Sequence, residues 1–220
     1  MGDNAPDRPA RSGGRGVPII GVAGGIGSGK SAVSAAFERL GCLVSDSDAA
    51  TRAALSSESV ARLLRQWWGE RVFDADGNVD RATVARIVFA DDGERKRLEA
   101  VLHPAAKAHR DEVIERAERE GAVAVIVDAP LLFESGLDAT CDVVVFVDAP
   151  KAHRLARVEQ RGWGAGELDR REAAQFALED KRRSSDLVVD NSGPLEDLAS
   201  KVAHALRAAL ARYREIRDSG

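Results

Sequence analysis

Five short apolar runs punctuate the chain, at residues 19–23, 43–45, 123–127, 143–147 and 187–189. Runs of this length without polar alternation predict strands covered by helices on both faces, the pattern of a parallel sheet. Helical spacing fills the stretches between them. Val33, Phe37 and Leu40 recur so as to predict a helix over 31–40 with those residues facing the sheet. Beyond Pro194, the stripe Leu195, Leu198, Val202, Leu206 and Tyr213 predicts a long packing helix. Strand and helix in alternation predict a doubly wound α/β fold, with its site at the carboxyl ends of the strands.

The pattern changes between the second and third runs. Residues 49–121 hold no strand signal but several helical ones: Val60, Leu63, Leu64 and Trp67 in one, Val84, Ile87 and Val88 in another. In a third, Leu98 to His103, a helix is expected to end before Pro104, with Pro104 opening the next. A helical insert beside a nucleotide site is a natural place for a second substrate. Trp67 and Trp68 read first as core of this insert; a flat surface for an apolar acceptor arm is the other reading. Residues 1–16, rich in Gly, Pro, Arg and Asp without periodicity, read as a disordered tail.

Composition narrows the partners. A formal net charge of −4 over 220 residues argues against a general nucleic-acid binder. Residues 151–183 run against that balance, with nine Lys/Arg to six Asp/Glu. Cys42 and Cys141 sit in apolar surroundings and read as buried reduced thiols, which points to the cytoplasm. No apolar run approaches membrane-spanning length, and no signal-peptide core precedes the first strand.

The chemistry is announced by Gly24-Gly25-Ile26-Gly27-Ser28-Gly29-Lys30-Ser31, which fills G-x-x-x-x-G-K-[ST] between a strand and a helix. Glycines let such a loop curl until its N–H groups converge on phosphate oxygens, and the helix N-terminus adds positive potential there. Gly25, Ile26, Gly27, Ser28, Gly29, Lys30, Ser31 and Ala32 are therefore the candidates for ATP contacts. Lys30 reaches the β/γ-phosphates, and the Ser31 hydroxyl is a Mg²⁺ ligand.

A phosphate loop alone does not distinguish motors, switches and kinases. Asp46 and Asp48 follow the second strand, where a carboxylate can orient an attacking hydroxyl or take its proton. Asp46 is favoured for that role; Asp48 is shared between acceptor contact and helix capping. Asp128 ends the third strand and has two readings, a metal-shell residue or an ordinary turn residue before Pro130. Leu131 and Glu134 follow and are expected to line the cleft over the acceptor. Arg154, Arg157 and Arg161 fall on one helix face, followed by the flexible break Gly162–Gly166, the make-up of a lid over residues 154–183. Arg157 and Arg161 are assigned to transition-state charge and Arg154 is left open. His103 reads as a core or capping residue, with acceptor contact as the alternative; no ligand spacing for zinc is present.

These residues, taken with Gly77–Arg81 to Phe89, Leu98–Pro104, Pro130–Glu134 and Asp190–Gly193, resemble the dephospho-CoA kinase family over about residues 17–212. The resemblance implies a P-loop nucleoside-triphosphate hydrolase core with a five-stranded parallel sheet flanked by helices, at about 17–48 and 122–220. It also implies a helical substrate-binding insert at about 49–121 and a lid. It implies Mg²⁺-dependent transfer of the γ-phosphoryl of ATP to the 3′-hydroxyl of dephospho-CoA, the last step of coenzyme A biosynthesis. Asp46 is then the base near that hydroxyl, Arg157 and Arg161 belong to the lid, and Asn191 lies near the adenine. Ala23 stands where the family usually has Thr, and residues 182–186 depart from a more apolar ending. A nucleoside or nucleotide kinase on the same core is the rival. A guanine-nucleotide switch is disfavoured because no Asn-Lys-x-Asp motif occurs.

Overall fold

The computed structural model describes residues 16–219; apart from Gly16, the expected N-terminal tail lies outside the described residues. The chain divides into two compact units, one running to Ser45 and resuming at Val113, the other comprising Asp46–Glu112.

The first unit is built on five strands: β1 (Ile19–Gly24), β2 (Leu43–Asp46), β3 (Val125–Asp128), β4 (Val143–Asp148) and β5 (Leu187–Asp190). Their order across the sheet is β2-β3-β1-β4-β5. β1 pairs in parallel with β3 and β4, and β4 with β5. The sheet predicted from the apolar runs is present, with each boundary moved by two residues or fewer.

Alternate residues of the central strands serve two separate cores. Ile20, Val22, Ile126, Val143, Val145 and Val147 face α1 (Lys30–Arg39) and α9 (Leu195–Asp218), against Val33, Phe37, Leu198, Val202 and Leu206. Ile19, Ala23, Val125, Val127, Val144 and Phe146 face the opposite way, onto Val113, Ile114 and Ala117. Burial on both sides is why these runs carry no polar alternation. Gly21 is required by a close approach: a Cβ there would lie 2.8 Å from Cys141 Sγ and 2.9 Å from Leu132 Cδ2. Leu40 departs from expectation. It stands 37% exposed as the C-cap of α1, because the chain turns away through Gly41 at φ 87° before the helix can carry it onto the sheet.

Two carboxylates supply acceptors where strand ladders begin. Asp142 Oδ2 takes the Ile19 N–H at 2.8 Å, and Asp186 Oδ2 takes the Val144 N–H at 2.7 Å while pairing with Arg212 on α9. Each satisfies a backbone donor at the edge of a dry core.

The second unit is helical: α2 (Ser47–Leu55), α3 (Glu58–Trp68), α4 (Arg81–Ala90) and the first part of α5 (Asp92–Glu120). Side chains of Asp46, Ser57 and Asp80 accept first-turn N–H groups of α2, α3 and α4. Leu55, Val60, Leu64, Trp68, Val72, Val84, Leu98 and Leu102 form its core. Trp68 is 7% exposed with its indole N–H on Glu94, which agrees with the core reading of the tryptophan pair. Pro104 does not open a new helix. It lies inside the single helix α5, where it removes one N–H from the ladder. Alanines and long charged residues on either side keep propensity high enough to carry the helix through.

Burial pushes the Cys42 thiol from its ordinary 9.0 up to about 11, against a smaller lowering by its backbone hydrogen bond at Ala124. Cys42 therefore contributes stability that is complete below pH 9.0 and is lost as pH rises through about 11. A thiol reagent at pH 8 should leave Cys42 unmodified in the native protein and modify it on unfolding.

Candidate phosphate-transfer site

The loop between β1 and α1 begins at the carboxyl end of the central strand, with β3 and β4 on either side. Ser28 N–H closes a turn onto the Gly25 carbonyl at 3.1 Å, and Gly29 caps α1 at φ 94°. No L side chain sits easily at that φ, and a Cβ on Gly29 would strike Asn191 Nδ2. The start of α1 thus presents N–H donors and positive potential outward from the loop.

A loop that turns its N–H groups toward a phosphate turns carbonyls away from it, and those carbonyls need donors. Arg157 supplies them. One guanidinium nitrogen donates to Gly27 O at 3.2 Å and Ser28 O at 2.9 Å, and another to Asn191 O at 2.9 Å. Asn191, buried, adds Nδ2 to Ser28 O at 2.7 Å and its own N–H to Asp148 O at 2.8 Å. The turn carrying Asn191 is anchored through Asp190, whose carboxyl is held down at about 2, chiefly by the hydrogen bond from Lys201. Arg154, left open by the sequence, is 5% exposed; it donates to Ile26 O and Ala149 O and pairs with Glu172.

The single arginine face expected from spacing is therefore divided. α6 (Lys151–Glu159) ends before Arg161, which stands exposed in a turn closed by Gly162 at φ 81°. Arg154 and Arg157 are committed to loop backbone; Arg161 faces solvent.

Other candidates fall in distinct places. Lys30 is half-buried and Ser31 exposed at the start of α1, with Ala32 behind them. Asp128, half-buried at the end of β3, takes the Ser34 hydroxyl of α1 at 2.8 Å. Leu131 is 45% exposed. The Glu134 carboxylate is not open to solvent: Oε1 meets Lys181 Nζ at 2.6 Å and the Phe176 N–H at 2.9 Å, and Oε2 is buried. Asp46, Asp48 and His103 belong to the helical unit. Asp46 Oδ1 caps α2 through the Ala49 N–H, and Oδ2 lies 3.8 Å from Arg52. Asp48 is exposed in the first turn of α2, and His103 is exposed on α5 rather than in a core.

Sequence reasoning missed α8 (Leu178–Arg183) as a neighbour of the loop. A Cβ on Gly25 would come within 3.0 Å of Leu178 Cδ2 and 3.1 Å of an Arg154 nitrogen. That approach leaves a cavity of about 90 Å³ between Gly25, the end of β4, Arg154 and α8. No local signal marks Leu178 or Glu172; only Arg154's need for a counter-ion hints at the latter.

The sequence profile described as dephospho-CoA kinase matches residues 18–197. The chain belongs to the dephospho-CoA kinase family. It is 42% identical over 196 residues to a dephospho-CoA kinase of Symbiobacterium thermophilum, covering 87% of this chain and 81% of that one. It is 40% identical over 199 residues to that of Frankia casuarinae, covering 88% and 84%. A solved structure from Thermus thermophilus aligns with TM-score 0.74 at 38% identity, over 89% of this chain and 97% of that one. A shikimate kinase of Acinetobacter baumannii, at TM-score 0.50 and 16% identity over 88% and 95%, shares the fold alone. Within this family member, Arg157 serves the loop through a planar fork that lysine does not reproduce. Arg157→Lys should raise the ATP dissociation constant roughly tenfold, the scale of one or two lost hydrogen bonds to a carbonyl. Equilibrium titration with ATP measures it, and unchanged affinity would contradict the account.

Proposed function

We propose that this chain transfers the γ-phosphoryl of ATP to the 3′-hydroxyl of the dephospho-CoA ribose, giving coenzyme A and ADP. The observation that carries this is the family match across residues 18–197, which includes a complete phosphate loop gripped from behind by Arg157 and Asn191. In this reading the loop N–H groups and Lys30 hold the β- and γ-phosphates. Asp46 keeps Oδ1 on its helix cap and uses Oδ2 to orient the hydroxyl and accept its proton. Arg161, the one arginine of the trio not tied to loop backbone, offers charge to the equatorial oxygens.

The donor set suits Mg²⁺. Ser31 Oγ is exposed at the loop and Asp128 offers a hard carboxylate at the neighbouring strand end. Among the described residues no group of three or more His, Cys, Asp or Glu side chains is set to hold a metal. Two oxygen ligands are enough for an ion that otherwise draws on phosphates and water. When bound it would neutralise charge on the phosphates.

The core, the helical acceptor unit and a lid over 154–183 complete the proposed organisation, with Leu131 and His103 as acceptor contacts. A reducing, cytoplasmic setting fits the two buried thiols, Cys42 and Cys141. Among the described residues no helix is long and apolar enough to cross a membrane.

Incubation with ATP and dephospho-CoA should yield a product carrying the new phosphate on the ribose 3′ position. Transfer to nucleosides with none to dephospho-CoA would overturn the reading. Asp46→Asn should lower turnover by about 10²–10⁴-fold, the scale of general-base catalysis, while ATP affinity stays near the parent's. Near-parental turnover would remove Asp46 from the mechanism.

A further inference from the structure

Lys181 is the most deeply buried cation among the described residues, at 2% exposure. Its ammonium lies 2.6 Å from Glu134 Oε1 and 3.0 Å from Gln175 Oε1. Glu134 Oε1 also takes the Phe176 N–H, so one oxygen holds both the helix α8 and the turn leading into it. Desolvating two charges returns little net stability compared with an apolar pair of the same size. What such a pair does supply is a single geometry.

That geometry concerns the phosphate loop. α8 carries Leu178, which packs so closely on Gly25 that a Cβ there would come within 3.0 Å of Leu178 Cδ2. At the other end of the same segment, Glu172 closes α7 (Ala165–Glu172) onto Arg154, and Arg154 donates to Ile26 O of the loop. Glu134 lies in the turn after β3, the strand that ends in Asp128. The α7–α8 segment is therefore tied at one end to the back of the phosphate loop and at the other to the turn beyond the third strand.

Resting on the kinase reading above, we propose that Glu134 and Lys181 are positioning residues. Their buried ion pair latches the α7–α8 segment against the phosphate loop and keeps water from the γ-phosphorus until the alcohol attacks. With the latch broken, a water oxygen bonds to the γ-phosphorus as the bond to the ADP oxygen breaks. The water proton goes to solvent, and ATP is lost as ADP and inorganic phosphate. Glu134 thus acts through α8 and not by touching the acceptor.

The test uses the full chain. Glu134→Gln keeps the shape and an acceptor for the Phe176 N–H but removes the charge facing Lys181. Amide hydrogen exchange in 165–183, measured without ligands, should rise about tenfold while β1 and β4 keep the parent's rates. Turnover to phosphorylated acceptor should fall about tenfold with the KM for ATP near the parent's, and ADP formed should exceed product formed. Lys181→Met should behave alike, and the double variant should be no worse than the worse single one, because the pair acts as a unit. Unchanged exchange in 165–183 overturns the latch, as does exchange rising equally in β1 and β4, which would mark a merely structural pair. Faster local exchange with ADP and product still equal overturns the water-excluding role. The exchange measurement needs no acceptor, so it judges the latch even if the parent enzyme fails to phosphorylate dephospho-CoA, a failure that would count against the functional reading alone.

Discussion

Everything at this site depends on where the carbonyls of the phosphate loop go. Backbone N–H groups can converge on an anion only if the peptide planes turn their oxygens the other way, into the protein. A buried carbonyl without a donor costs roughly 1–3 kcal/mol, so the outward face of the loop is affordable only if the inward face is satisfied. Arg157 and Asn191 satisfy it at Gly27 and Ser28, and Arg154 does so at Ile26. The glycines permit the curl; the donors behind them hold it.

The fold can be understood as the means of bringing those donors together. Asn191 follows β5 at the edge of the sheet, Arg157 and Arg154 come from the helix after β4, and the loop itself follows the central strand. Parallel pairing of β1, β4 and β5 aligns their carboxyl ends, so three segments distant in sequence meet within hydrogen-bond reach. Asp142 and Asp186 hold the opposite ends of β1 and β4 by accepting backbone N–H groups there. A shift of those strands would carry the loop away from its donors.

Much of this was legible in the chain. The strands were readable because two-sided burial leaves no polar alternation in 143–147, and the loop because its motif needs no tertiary context. Helix edges were less so: Leu40 has the right spacing, yet Gly41 turns the chain first, and Pro104 has the look of a boundary yet is carried through by its neighbours. The arginines were found as a cluster, but their division of labour was not. Spacing along a helix says which side chains share a face; it does not say that Arg157 will meet carbonyls 129 and 130 residues away. Glu134 was noticed for its place after the third strand, while Lys181, its partner, lay unmarked within the charged stretch assigned to a lid. Long-range pairs of this kind leave no periodic trace.

The central claim is that the loop is organised before ATP arrives. Backbone ¹⁵N relaxation of residues 25–31 in the nucleotide-free protein tests it most directly. The account predicts order parameters near the roughly 0.85 of rigid backbone, matching those of β1. Values below about 0.6 in the loop, with β1 still rigid, would mean that nucleotide and not Arg157 and Asn191 gives the loop its shape.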